Sequence, residues 1–420
     1  MRMMGSRTSL QFDWRLVRLP NGLRLITISR PDTPTVAVRV YVRAGSRYDE
    51  PPFLGLAHCT EHMLFKGTQS RSPREIYACV ERLGGVLDAG TTKQYMTVYA
   101  VTPGDGLMTA LDVVAKVLTE PALREDDFWA EKLVLLEEIQ RAEDQQSVIF
   151  DLFAETLWPA HPLRQRMRGT LEGLYNLDHE SLLSFFQRRY VTGNLLLAVC
   201  GDIEHREVQQ LVSDGFAALP DGPECLPLAV EEPQLDSKRT AHLEKGVQQM
   251  CLLMGVPTVS MKHGDRSALR VLERVLGMGG SARLHQHLRE EKQLVYSVNT
   301  VTAHYEDVGY FAVHTVCDPQ KVSEVRQAIL EEWDRLRCHG VTEVELRDAK
   351  SNYAGAQALR AETNLALASI FGTQGLLHRV ETSEEAIARI NAVRREDVLR
   401  VAQQYLDTER YVAVTVGREP

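Results

Sequence analysis

FFQRRYVTGNLLLAVCGD, residues 185–202, has a counterpart near the far end of the chain in VAQQYLDTERYVAVTVG, residues 401–417. Each gives the end of an amphipathic helix, a tyrosine, a polar turn and a valine-rich strand that stops at glycine. A second pair of segments follows the same order. Arg82–Val101 is a strand pair leading into the apolar helix Thr102–Leu118. Gln293–Val316 is again a strand pair, and Asp318–Pro319 opens the helix that runs to Leu336. The period is roughly 210 residues, far too long for a solenoid, and it predicts duplicated domains. Between the halves, Leu219–Ser237 carries Pro220, Pro223, Pro227 and Pro233 among acidic residues and glycine, a linker composition. The expected division is residues 10–220, a linker at 221–239, and residues 240–420. Each domain is expected to be α+β, a mostly antiparallel sheet backed by helices.

Composition narrows the function classes. The 420 residues are 44% hydrophobic, 25% charged and 7% aromatic, a globular balance that excludes disorder and low complexity. The formal net charge of −9 argues against nucleic acid or an anionic membrane surface as partner. No apolar run approaches the roughly 18 residues of a membrane span. The start of the chain lacks an apolar signal core, and seven cysteines without a CxxC pair read as reduced core thiols. The expected compartment is the cytoplasm. The mildly basic start with Arg2, Ser6, Arg7 and Ser9 leaves an organellar matrix as the lesser alternative.

The chemistry concentrates in GLAHCTEHMLFKGT, residues 55–68. Apolar residues at helical spacing predict a helix over Leu54–Phe65 that stops at Gly67. His58 and His62 then stand one turn apart on one face, with Glu61 beside them. Two neutral imidazoles can hold a divalent ion while the carboxylate handles the proton of a water. The order, His-x-x-Glu-His, is the inverse of the commoner zinc-protease arrangement. Two surface histidines paired with a glutamate would be the bland alternative, but the remaining face of this helix is apolar. Cys59, next to His58, is expected to point into the core. A catalytic zinc needs a third protein ligand and an open position. The amphipathic stretch Glu125–Glu143 offers Glu131, Glu137 and Glu138. Glu131 and Glu138 share a face, Glu137 is turned about 100° away from Glu138, and the residues alone leave the choice open.

With Glu138 at its distance from His62, and with MLFKGT (63–68), LGG (83–85), LLEEI (135–139), His161–Pro162 and Tyr190–Asp202, nearly the whole chain resembles the insulinase/pitrilysin family of inverted-motif zinc peptidases, which includes the mitochondrial processing peptidase. The resemblance implies His58, His62 and Glu138 as ligands of one zinc ion per chain. It implies Glu61 as the base that activates water and Glu131 as a carboxylate steadying the site. It also implies roles for Arg289 and Tyr296, seven apart in LREEKQLVY, in binding the substrate backbone and stabilising the tetrahedral intermediate. Without it, they read as a surface arginine at a helix end and a core tyrosine on a strand. LGMGGSAR, residues 276–283, resembles the glycine turn before that helix and lacks phosphate-loop spacing. Asp88–Ala89 stands where the family commonly has Asn-Ala on the edge strand that pairs with substrate. An aspartate accepts but does not donate there, which opens a preference for positively charged peptides. In the second half, LRVLERVLG (269–277) lacks the histidine motif, and that half is expected to be metal-free.

The expected activity is that of a zinc metalloendopeptidase acting on peptides or unfolded segments, bound as an added strand near Asp88–Thr91. By the resemblance, two domains are half of a closed chamber. A homodimer is therefore expected, with a heterodimer of related subunits as the alternative. A non-catalytic peptide-binding or assembly subunit is the competing function, and an esterase or other metal hydrolase using the same site a third. His/His/Glu suits zinc best but would accept cobalt or manganese.

Overall fold

The structure is a computed structural model and describes residues 12–141, 145–230, 232 and 234–418. The sequence folds into two compact units, each built on one sheet. In the first, β1 (Asp13–Arg18), β2 (Arg24–Ser29), β3 (Thr35–Val42), β4 (Val86–Thr91), β5 (Met96–Pro103) and β6 (Leu195–Gly201) form a six-stranded sheet in the order β1-β2-β6-β3-β5-β4. Only β2 and β6 run parallel; every other pairing is antiparallel. Strand β6, all seven residues buried, lies in the middle as its unbroken apolar run requires. Strand β4 is an edge.

Four helices follow from the apolar spacing: α1 (Leu56–Leu64), α2 (Pro73–Glu81), α3 (Leu107–Thr119) and α4 (Glu125–Arg141). Ser72 and Glu75 close a capping box on α2, which makes its start legible from the sequence. Val113, Val114, Val117 and Leu118 of α3 pack on Val38, Val40, Val98 and Ala100 of the sheet, and the same core takes Leu56, Met63 and Leu64 of α1. Burying one such side chain contributes about 1.5–3 kcal/mol, so α1 is fixed by its apolar face and presents its polar face away from the core.

In the second unit, β7 (Arg239–Glu244), β8 (Met250–Thr258), β9 (Val295–His304), β10 (Gly309–Cys317) and β11 (Val412–Gly417) form a sheet in the order β7-β11-β8-β10-β9. Again one pair, β7 with β11, is parallel and the others are antiparallel. Strand for strand, this repeats β2-β6-β3-β5-β4. The α+β class with two mostly antiparallel sheets is therefore the observed one.

The units are not contiguous in sequence, and here the structure departs from boundaries at 220 and 240. Helix α5 (Gln145–Leu157), within residues 142–164, belongs to the second unit, where Ile149 and Phe153 pack on Leu253, Val412 and Val414. In return, residues 358–381 belong to the first. Their helix Asn364–Leu377 lies on β3, where the hydroxyl of Tyr41 donates to the carbonyls of Ala368 and Ser369 at 3.2 and 3.1 Å. Gly372 lets that helix approach the Tyr41 ring, which an added Cβ would strike. A helix such as NLALASIFGTQGLL, apolar nearly all round, must be buried, but its sequence does not say against which sheet.

Candidate metal centre

Asp49, fully buried, sets the start of α1. Its carboxylate accepts the N–H groups of Gly55 (2.8 Å) and Ala57 (2.9 Å), donors otherwise unpaired at a helix start. Gly55 has a φ of +103°, a left-handed conformation natural to glycine. Helix α1 then places His58, Glu61 and His62 on its polar face while Cys59 is fully buried, as its position beside the histidine motif suggested.

The Nε2 atoms of His58 and His62 stand 3.2 Å apart. Oε2 of Glu138 lies 3.9 Å from the first and 3.8 Å from the second. One donor atom from each of the three side chains falls within 4.8 Å of the others, the spacing of atoms that share one cation. Glu131, two turns before Glu138 on α4, sits behind His62: its Oε1 is 2.8 Å from Nδ1, and its other oxygen is paired with Lys66. Lys66 makes Glu131 an acceptor only, so Nδ1 of neutral His62 carries the proton and Nε2 keeps its lone pair for the cluster. Burial opposes the charge on Glu131, but the hydrogen bond with His62 and the ammonium of Lys66 hold its carboxyl below the usual range. Burial, then neighbouring His62 and Arg168, pull His58 down to about 3, which keeps its ring neutral. Burial also acts to lower His62, but the Glu131 hydrogen bond and the charge of Glu138 outweigh it and raise its pKa. The donor set, two imidazole nitrogens and a carboxylate oxygen with an outer carboxylate fixing the His62 tautomer, fits a zinc ion.

Glu61 faces β4. It accepts the hydroxyl and the backbone N–H of Thr91, and burial raises its carboxyl above the ordinary range. A cavity of about 290 Å³ opens beside it, lined by His62, Phe65, Lys66, Tyr77, Asp88 and Ala89 among others. The sequence reading assigned no role to Lys66 or Asp49, and placed Thr91 only on the substrate edge. Lys66 stands four residues after His62, a spacing that could have suggested a shared partner. Thr91 and Asp49 act across loops and carry no local signal.

Arg289 and Tyr296 lie in the second unit. Arg289 falls in a π-helical stretch over His285–Glu291, and Tyr296 is the second residue of β9, an edge strand. Tyr296 is 56% exposed, so it is not the core residue that an isolated strand tyrosine would suggest. Among the described residues, no helix is long and apolar enough to cross a membrane.

Residues 24–171 match insulinase (peptidase family M16), and residues 176–353 match the peptidase M16 inactive domain. An uncharacterized zinc protease of Streptomyces coelicolor is 32% identical over 400 residues, covering 93% of this chain and 87% of that protein. A probable beta subunit of the mitochondrial-processing peptidase of Arabidopsis thaliana is 28% identical over 416 residues, covering 96% of this chain and 78% of its own. Among solved structures, a protease from Helicobacter pylori shares the fold at a TM-score of 0.91, with 24% identity over 97% of this chain and all of that one. A peptidase M16 inactive domain from Pseudomonas fluorescens does so at 0.89, with 20% identity over 97% and 98% of the two chains. With a relative this similar along nearly its whole length, and with two matched domains in the order of its two halves, the chain belongs to the insulinase family of zinc peptidases, peptidase family M16.

Proposed function

We propose that this chain is a zinc-dependent endopeptidase acting on peptides or unfolded segments, with Glu61 as the proton carrier. The observation that carries this is the convergence of His58, His62 and Glu138 with Glu61 turned to the adjoining edge strand. His58, His62 and Glu138 would hold the zinc ion, one per chain, with Glu131 fixing the His62 ring. Bound there, the ion would polarise a carbonyl oxygen and lower the pKa of water to about 7. Glu61 takes a proton from water and returns it to the leaving amine. Burial raises that carboxyl, the direction that favours its holding the proton between the two transfers. Thr91 holds that carboxylate through its hydroxyl and N–H, which aims it without a side-chain search. Arg289 and Tyr296 supply donors to the substrate backbone and the developing oxyanion.

An extended peptide adds to β4 at Asp88–Ala89, where main-chain groups on the open edge give affinity to any extended chain. Folded proteins are therefore poor substrates. The working enzyme is a closed chamber made by two chains, a homodimer being the simpler assembly, located in the cytoplasm.

The test is Glu61→Gln, with metal content and peptide cleavage measured together. Zinc near one per chain with cleavage lost by a factor of about 10² or more supports the reading. An inert parent chain tested on a diverse peptide mixture would favour a non-catalytic peptide-binding subunit.

A further inference from the structure

We propose that Asp88 makes the β4 edge selective for peptides carrying lysine or arginine at the position paired with it. The proposal rests on the reading of β4 as the peptide-binding edge. The hairpin between β4 and β5 fixes which groups face outward. Thr92 N–H bonds the carbonyl of Tyr95 across the turn, at 2.8 Å. Counting back through the register, Gly90 and Asp88 turn their main-chain groups toward β5, whereas Thr91 and Ala89 turn theirs to the open edge. The N–H groups of Thr91 and Ala89 are already taken by carboxylates of the chain itself. Thr91 N–H serves Glu61, and Ala89 N–H donates to Oδ1 of Asp88 at 2.8 Å. The second oxygen of Asp88 accepts the hydroxyl of Tyr99 at 3.0 Å. The Tyr99 ring in turn lies beneath the guanidinium of Arg39, with 5.2 Å from that carbon to the ring centre.

A peptide that pairs with Ala89 must therefore displace Asp88 from the N–H. Its own carbonyl replaces the lost bond for Ala89, but the freed carboxylate keeps only Tyr99. In an antiparallel addition, Asp88 becomes a residue of a non-hydrogen-bonded pair, where facing side chains come closest and share one side of the sheet. The peptide side chain opposite Asp88 thus meets that carboxylate directly. An ammonium or guanidinium restores the missing partner; an apolar side chain leaves it to water; a carboxylate is repelled. An asparagine in the same place would show no such charge preference, since its amide both donates and accepts.

The experiment measures binding by fluorescence anisotropy on the zinc-loaded full chain carrying Glu61→Gln, which blocks turnover. The probes are labelled extended peptides with lysine, norleucine or glutamate at one position, scanned along the sequence. At one register, lysine is expected to bind about tenfold tighter than norleucine, and glutamate more weakly than either. Adding Asp88→Asn should abolish the lysine preference while keeping an oxygen for Ala89. Adding Asp88→Ala should abolish it too, without weakening the norleucine peptide, because the competitor for Ala89 N–H is gone. A merely structural Asp88 would instead weaken all three peptides together. A lysine preference that survives both substitutions overturns the proposal, as does the absence of binding by every peptide. If binding behaves as expected but the chain with Glu61 intact cleaves none of the peptides, the selectivity stands and the peptidase reading fails.

Discussion

Replacing Glu131 with glutamine tests whether the outer carboxylate tunes the metal centre. In the structure, Glu131 is 4% exposed, its Oε1 is 2.8 Å from Nδ1 of His62, and its other oxygen pairs with Lys66. Glutamine keeps the length and an acceptor oxygen, so the His62 tautomer survives. What changes is the charge. A hydrogen bond to an ionised group contributes about 1.5–3 kcal/mol, against about 0.5–1.5 for a neutral one, so roughly 1–1.5 kcal/mol of support for His62 is lost. Lys66 stays cationic and loses its counter-charge on the wall of the same cavity, which acts in the same direction. At about 1.4 kcal/mol per factor of ten, zinc affinity should fall roughly tenfold, the lower end of what loss of such an outer partner produces. Competition against a fluorescent chelator at fixed pH measures it, with circular dichroism to show that the fold is retained. An affinity within twofold of the parent would refute the reasoning, because it would mean that the charge of Glu131 does not raise the basicity of the His62 ring.

Two further outcomes bear on the fold. Gly372→Ala should cost about 1–3 kcal/mol, read as a lower urea midpoint, since the new Cβ meets the Tyr41 ring in a packed interior. For Glu345, burial alone would raise the carboxyl, but the fork of Arg283, at 2.6 and 2.9 Å, and the N–H of Thr342 hold it at about 2. A folded pKa depressed below an unfolded value of about 4.3 gives stability that is present above that value and lost as pH falls toward 2. Glu345→Gln should thus destabilise by about 2–3 kcal/mol at neutral pH, with the difference from the parent vanishing in acid; urea titrations across the acid range check the sign.

How far the sequence reached depended on whether the deciding interaction was local. His58, Glu61 and His62 are one turn of one helix, and the 3.6-residue period alone puts them on one face. Between Glu131 and Glu138, two turns apart on the same face of α4, the choice depends on where α4 lies against α1. That crossing is set by Phe128 and Leu135 in the core and by Lys132, whose ammonium holds the carbonyls of Tyr175 and Leu177 at 3.0 and 2.7 Å. None of these has a signature at fixed spacing, and only the family resemblance separated the two glutamates. The exchange of α5 and Asn364–Leu377 was hidden for a related reason: apolarity announces burial but does not name the partner sheet.

The duplicated frame places one helix-to-edge arrangement in both halves, with different side chains flanking it. In the second unit, the helix Arg266–Gly277 follows β8 as α1 follows β3, and it carries Arg270, Glu273 and Arg274 at the spacing of His58, Glu61 and His62. Glu273 accepts the hydroxyl of Thr302 at 2.7 Å and its N–H at 3.2 Å, on edge strand β9. Glu61 grips Thr91 on edge strand β4 in the same two ways. The helix-to-edge clamp is therefore common to both halves and is a structural joint first. What differs is the pair of flanking side chains. Arg270 and Arg274 approach Glu273 at 3.1 and 3.6 Å, and a guanidinium offers five donors and no lone pair. Where imidazoles would leave two bare nitrogens facing a cation, the arginines neutralise the carboxylate themselves. On the proposed function, a glutamate that ties a helix to a sheet edge is free for proton transfer when its neighbours bind a metal instead of its own charge, and His58 and His62, unlike Arg270 and Arg274, offer ring nitrogens for that.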